Sequence, residues 1–166
     1  MTRREFIGMA SVGVAAIAIA GRLALTAKSP KIPDEIFPVQ HSDAEWRKLL
    51  SLTSYRILRQ AGTEAPFSSP LLSEHRAGIF ACAGCDQHLF DARTKYDSHT
   101  GWPSFWDVIP SAVVKRSDSS IGMSRTEVRC ARCGGHLGHV FTDGPQPTGL
   151  RYCMNGAAMV FQPAAT

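Results

Sequence analysis

Two cysteine pairs, "CAGC" at 82–85 and "CARC" at 130–133, constrain this chain more than any other feature. Two residues between cysteines let both sulfurs of a tight turn face one side, and two such turns complete a tetrahedral four-sulfur site. Any fold for this sequence then has to bring the segment around Cys82 and Cys85 against the segment around Cys130 and Cys133. Gly84 in the first turn, and Gly134 and Gly135 after the second, ease the positive backbone angles of such knuckles. Four thiolates with no open position describe a structural ion, and zinc is the expected cofactor. Three other readings stand beside it: a disulfide within each pair, a redox pair, or iron in a four-sulfur site.

The remaining sequence suits one compact domain with a short extension: 166 residues, 44% hydrophobic and 19% charged. Residues 1–27 have a different texture. "MTRREFIGMA" places Arg3 and Arg4 beside Glu5 and Phe6, an uncharged Ala/Gly/Val-rich run follows, and Arg22 precedes "LALTA". A positive head, a short apolar middle and a small-residue end make a secretory signal, and the middle is short for a membrane span. "TRREFIG" resembles the twin-arginine export signal, which implies the export machinery as a partner and a periplasmic destination. A general-secretion signal or an uncleaved anchor are the alternatives. The signal carries three arginines against one glutamate, so +2 of the formal +4 belongs to it. The +2 left on residues 28–166 gives no charge-based case for nucleic acid, and none is expected as a partner.

Residues 28–41 hold three prolines and no helical period, and read as an extended linker. "SDAEWRKLLSLTSYRILRQAG" reads as one helix: Ser42 and Glu45 have capping-box spacing, Trp46, Leu49, Leu50, Ile57 and Leu58 share a face, and Gly62 is placed to end it. From Gly78 the texture changes to short apolar runs: "GIFAC", "SFWDVI", "AVVKR", "TEVRC", "GHVFT", "LRYCM" and "AAMVF". A helix followed by closely spaced strands predicts an α+β chain that is mainly antiparallel sheet. The domain is expected over 42–162, with 163–166 as a tail.

The fifth cysteine, Cys153, has no sixth to pair with. If "LRYCMNG" is a strand, Arg151, Cys153 and Asn155 share one face, and Tyr152 and Met154 the other. A cation beside a thiol favours thiolate, which makes a nucleophile. The bland reading is a buried cysteine filling space, and polar neighbours on its face argue against that. "HLGHVFTDGP" adds His136 and His139 as candidate acids, with Asp143 near enough to orient one. "TGWPSFW" fixes Trp102 on a turn, and an aromatic suits a thioether or methyl sulfoxide group, or packs into the core.

Together "CAGC", "YDSHTGWPSFW" and "GMSRTEVRCARCGGHLGHVFTDGPQPTGLRYCMNGAAMVF" resemble the B-type methionine sulfoxide reductases, in order and with matching spacing from about Asp43 to Phe161. The resemblance implies two antiparallel sheets with peripheral helices and zinc on Cys82, Cys85, Cys130 and Cys133. It implies reduction of methionine-R-sulfoxide, protein-bound or free, with Cys153 as nucleophile. Trp102 would receive the substrate methyl group, His136, His139, Arg151 and Asn155 would be polar site residues, and Asp143 lies in the matching turn. Many members carry a second cysteine just before Gly-Trp-Pro; here Thr100 stands there. The resemblance is therefore to the one-cysteine subtype, whose sulfenic acid is reduced by an external thioredoxin-like or small-thiol donor. His99, where glycine is common, and Gly156, where serine is common, are further departures. The rival class is a non-enzymatic zinc module with Cys153 structural.

Overall fold

Ser42 opens the first helix as its spacing from Glu45 predicts. Its hydroxyl accepts from the Glu45 N–H, and the Glu45 carboxylate accepts from the Ser42 N–H at 2.7 Å. The expected single helix is two, however: α1 (Asp43–Leu49) and α2 (Leu52–Gln60). Ser51 interrupts the apolar pattern and caps α2, accepting from the Ser54 N–H at 3.0 Å. The break turns Leu49 and Leu52 out to solvent, while Trp46, Leu50, Ile57 and Leu58 enter the core. Ala61, at φ 52°, takes the left-handed cap in place of Gly62, whose N–H follows it onto the Arg56 carbonyl.

The structure is a computed structural model and describes residues 36–120 and 122–165. The export signal read in 1–27 and the first part of the 28–41 segment lie outside the described residues. The rest of that segment forms no helix or strand, as expected, yet it is docked. The Val39 N–H donates to the Arg132 carbonyl at 2.9 Å, and the Arg129 guanidinium lies over the Phe37 ring at 5.4 Å. Among the described residues no helix is long and apolar enough to cross a membrane.

Nine strands form among the described residues: β1 (Gly78–Cys82), β2 (His88–Asp91), β3 (Lys95–Tyr96), β4 (Ser104–Phe105), β5 (Val113–Asp118), β6 (Arg125–Cys130), β7 (His136–Phe141), β8 (Arg151–Met154) and β9 (Met159–Pro163). They make two wholly antiparallel sheets, β2-β1-β9 and β3-β4-β8-β7-β6-β5. The mainly antiparallel α+β architecture is thus the one the sequence predicts. Strands β2 and β3 were not anticipated, and of "SFWDVI" only Ser104 and Phe105 pair. The Trp106 N–H turns to the Thr94 carbonyl at 3.0 Å, and the Asp107 carboxylate accepts from the Val108 N–H at 2.8 Å, which ends the ladder there.

The core lies where the two sheets meet. Phe80 of β1 and Phe90 of β2 pack on Phe105 of β4, with ring centroids 5.0 and 4.3 Å apart, and Phe90 also meets Tyr152 of β8 at 5.7 Å. Full burial of each such ring contributes roughly 1.5–3 kcal/mol. Tyr152 and Met154 supply β8's core face, so the period of two in "LRYCM" holds, and Cys153 is left on the opposite face.

Strands β7 and β8 approach very closely at Gly138, where an added Cβ would sit 2.2 Å from the Cys153 carbonyl oxygen. Neither backbone can retreat without breaking the ladder that carries Cys153. Gly138→Ala is therefore expected to lower unfolding stability by about 1–3 kcal/mol, read from urea denaturation, and to slow Cys153 chemistry while leaving metal content unchanged.

Candidate active site and metal centre

Antiparallel register sets Ser104, Cys153, His139 and Glu127 in one row across β4, β8, β7 and β6. Directly opposed residues share a face, so the row brings a thiol, an imidazole and a carboxylate to one surface of the larger sheet. His136 lies three residues before His139 and would point away in a regular strand. A bulge at Leu137 shifts the register, pairing His136 with Arg129 while Gly138 pairs with Val128. It returns His136 to the face of His139, with ring centroids 5.4 Å apart.

Each histidine is held by a carboxylate. His136 Nδ1 bonds Glu127 Oε1 at 2.8 Å, and His139 Nε2 bonds Asp118 Oδ2 at 2.8 Å. Asp118 also takes the Arg125 guanidinium at 2.6 Å. Hydrogen bonds from Ser120, then from His139 and Arg125, hold the Asp118 carboxyl well below the usual carboxylate range. Burial raises the Glu127 carboxyl, but His136, Arg129 and Arg116 more than offset it. Burial also lowers His139, against the opposing pull of Asp118. When His139 is neutral, its Nε2–H is donated to the ionised Asp118, which leaves Nδ1 as an acceptor.

Asp143, expected near a histidine, bonds Arg151 instead, at 2.9 and 2.7 Å. The Arg151 guanidinium also lies over the Phe141 ring at 4.4 Å, so it is fixed from two sides. Its charge does favour Cys153 thiolate, but less than burial opposes it, and the net effect raises the thiol above its ordinary 9.0. Arg151 thus acts on Cys153 in the direction the sequence predicts, and the partial burial of the thiol outweighs it.

Glu64 assembles the opposite wall. Its carbonyl accepts from Trp102 Nε1 at 3.1 Å, its N–H donates to Asn155 Oδ1 at 3.0 Å, and its carboxylate accepts from the N–H groups of Gly156 and Ala157. Asn155 completes its own bonding by donating to the Leu137 carbonyl at 3.0 Å. A substituent at Gly156 would lie 1.8 Å from Ser69 Oγ, so the Ser69 side chain fills the space that a side chain at 156 would need.

Between these walls lies an open cleft of about 140 Å³, lined by Trp102, Cys153, His139, Asn155 and Arg125 among others. Of the residues expected from sequence, Trp102, Cys153, His139 and Asn155 meet in it. His136, Arg151 and Asp143 support it from outside its lining. Sequence reasoning missed Asp118, Arg125, Glu127 and Glu64. The alternation of charge in "RTEVRC" was a usable sign for Arg125 and Glu127; nothing local marks Asp118 or Glu64.

The four paired cysteines converge as their spacing requires, with sulfurs all within 4.8 Å of one another and no disulfide formed. The two knuckles match: the Asp86 N–H donates to the Cys82 carbonyl and the Gly134 N–H to the Cys130 carbonyl, both at 2.9 Å. The left-handed position is Asp86 in the first (φ 58°) and Gly134 in the second (φ 69°), while Gly84 and Gly135 face Leu58. Four thiolates this close repel unless a cation lies among them, so the cluster can hold a metal ion.

The sequence is similar to those of known proteins. Residues 50–163 match the model of the SelR domain. The peptide methionine sulfoxide reductase MsrB of Agrobacterium fabrum is 55% identical over 126 residues, covering 75% of this chain and 93% of that protein. Its namesake in Leptospira interrogans is 53% identical over 127 residues, 76% of this chain and 97% of that protein. The MsrB of Methanosarcina barkeri is 52% identical over 125 residues, 75% of this chain and 88% of that protein. Among solved structures the "Yippee-like" domain of Mis18 aligns at a TM-score of 0.45 and 18% identity, over 55% of this chain and all of that one.

A thiol raised by burial ionises late. The rate of Cys153 alkylation by iodoacetamide, followed by peptide mass, is expected to rise with pH to a midpoint above 9.0. A midpoint near neutrality would show that Arg151 outweighs burial.

Proposed function

This chain belongs to the SelR-domain family, and from that premise we propose that it is a peptide methionine sulfoxide reductase acting on the R epimer through Cys153. The observation that carries the reading is the row in which Cys153 stands directly opposite His139, itself bonded to Asp118, at the floor of a cleft walled by Trp102. A cleft of about 140 Å³ is smaller than the ~300–1,000 Å³ typical of small-molecule sites, which suits one protruding side chain. Trp102, held by the Glu64 carbonyl, is placed to pack on the methyl group of a methionine sulfoxide.

In the proposed reaction the Cys153 sulfur attacks the sulfoxide sulfur. The thiol proton passes to His139 Nδ1, and the imidazolium, stabilised by Asp118, returns it to the sulfoxide oxygen. The hydroxyl then passes from the substrate sulfur to the Cys153 sulfur: a bond from Cys153 sulfur to oxygen forms as the transient sulfur–sulfur bond and the substrate's sulfur–oxygen bond break, and methionine leaves with Cys153 as sulfenic acid. The thiol is oxidised by two electrons, the sulfoxide is reduced by two, and no proton is consumed. Two equivalents of an external thiol then return Cys153 to its reduced form, releasing water and a disulfide. Thr100 at the position before Gly-Trp-Pro supports an external donor, because no second free thiol flanks the cleft among the described residues.

We assign zinc to the four-cysteine cluster. Tetrahedral zinc–sulfur bonds of ~2.3 Å set sulfurs about 3.8 Å apart, and Cys82–Cys133 and Cys85–Cys130 stand at 3.7 and 3.5 Å. Bound there, zinc would supply folding energy and no chemistry to the cleft. Residues 1–27 are read as a twin-arginine signal that directs the protein to the periplasm, where oxidised proteins would be substrates and a thioredoxin-like or small-thiol reductant the partner.

Cys153→Ser is expected to abolish turnover of methionine-R-sulfoxide while retaining one metal per chain and the far-ultraviolet spectrum. Dimedone added with substrate should trap one oxygen equivalent on Cys153 of the native protein and none on the variant; turnover by the variant would sink the assignment. Elemental analysis is expected to find zinc, and replacing Cys130 with serine should release it and remove about 2 kcal/mol or more of stability.

A further inference from the structure

Beside Cys153 stands a row of hydroxyls that the proposed reaction leaves unused. Cys153 Sγ lies 3.8 Å from Thr100 Oγ1, which lies 2.8 Å from Ser98 Oγ, which lies 2.7 Å from Ser104 Oγ. Ser104, fully buried and directly opposite Cys153 in the sheet, ends the row on the Trp102 carbonyl at 3.2 Å. Each hydroxyl carries one proton, and a carbonyl carries none. The far end therefore dictates the order of the whole row. Ser104 has to donate to the Trp102 carbonyl, so Ser98 donates to Ser104, Thr100 to Ser98, and the Cys153 thiol to Thr100.

We propose that Thr100, Ser98 and Ser104 form a proton-ordered relay that holds Cys153 as a thiol at rest and reverses when the thiolate forms. On reversal Thr100 turns its proton onto the sulfur, Ser98 turns to Thr100, and Ser104 gives up the Trp102 carbonyl for Ser98. No heavy-atom bond changes, and the proton leaving Cys153 goes to His139 or water. The reversal gives up the longest of the row's oxygen–oxygen bonds, a neutral one, and gains a donor to a charged sulfur. Hydrogen bonds to ionised groups are roughly twice as strong as neutral ones, so the relay makes the thiolate easier to reach than an apolar neighbour would. The lowering of Cys153 by Thr100, which ranks ahead of the charge of Arg151, agrees with that direction.

The loop is shaped for this contact. His99 at φ 58° bends the chain so that Ser98 and Thr100 bond each other, while its own ring points outward to Asp97 at 3.2 Å. The position just before Gly-Trp-Pro, where a second thiol would make a disulfide, instead carries the first member of a relay. The charged and titratable groups around Cys153 are Arg151 on its own strand, His139 on β7, Tyr96 on β3 and Arg125 on β6. Asp143 and Asp118 are bonded to the two arginines. None of them is bonded to the Thr100 hydroxyl, whose partners are Ser98 and Cys153.

The inference rests on Cys153 being the reactive thiol, and its test needs no sulfoxide. In the full chain with metal bound, the pH dependence of iodoacetamide alkylation of Cys153 reads the thiol directly. Thr100→Val is expected to move the midpoint up by about one pH unit, making alkylation about tenfold slower below both midpoints. Ser98→Ala, which frees Thr100 to donate without costing the Ser104 bond to the Trp102 carbonyl, should move it down instead, and Thr100→Ser should restore the native value. A midpoint within about 0.3 unit of the native value in Thr100→Val, a downward shift there, an upward shift in Ser98→Ala, or a serine variant that behaves like valine overturns the relay. Thermal melts establish that each variant is folded. Sulfoxide turnover measured in parallel separates the readings: loss of turnover in the native protein with the shifts intact would overturn the enzymatic assignment and leave the relay standing.

Discussion

Everything else in this fold is arranged around the convergence of four sulfurs. Cys82 and Cys85 turn the chain from β1 to β2, in the smaller sheet; Cys130 and Cys133 turn it from β6 to β7, in the larger. Holding these sulfurs within 4.8 Å joins the two sheets at one end, independently of the aromatic packing between them. Helix α2 rests on the same place, with Leu58 against Gly84 and Gly135 and the Arg59 guanidinium on the Cys133 carbonyl at 3.0 Å. Phe37 closes over Gly134 from the other side. A domain of this size, built from short strands, has little apolar area per element, and a cross-link between hairpins offsets that deficit.

The reactive face is built on the strand that leaves this cluster. Strand β7 begins three residues after Cys133 and carries both histidines. The bulge at Leu137 spends one residue on the core and so returns His136 to the face of Cys153. Carboxylates then arrive from two further strands, Glu127 from β6 and Asp118 from the end of β5. The opposite wall is gathered by Glu64: its main chain holds Trp102 and Asn155, and its side chain holds the turn after Asn155. The cleft is therefore a meeting of one rigid sheet face with one loop, and the loop is braced at both its backbone and its side chain.

The parts legible in the sequence were those set by local rules. The spacing of the cysteines, the Ser42–Glu45 cap and the two-residue period of "LRYCM" each appear in the structure as read. The parts that were not legible depend on pairing across the chain. Nothing around Leu137 marks the extra residue that brings His136 to the face of His139. Asp143 is closer in sequence to the histidines than Asp118 or Glu127, yet sheet register gives it to Arg151. Ser51 looked like one more residue within a helix, when its hydroxyl was the start of another. Sequence reasoning also weighed the charge of Arg151 on Cys153 without the enclosure of the thiol, which only the packed sheet reveals.

The small open cleft has a consequence for how targets are chosen. It offers room for one side chain. A damaged methionine in the interior of a folded protein does not reach Cys153, whatever its sequence context. Access then belongs to the client: its own local opening, whose free energy varies from loop to core, decides when an oxidised residue is presented. On the proposed reading the enzyme surveys the loosened parts of other proteins, and its selectivity is a property of their stability as much as of its own surface.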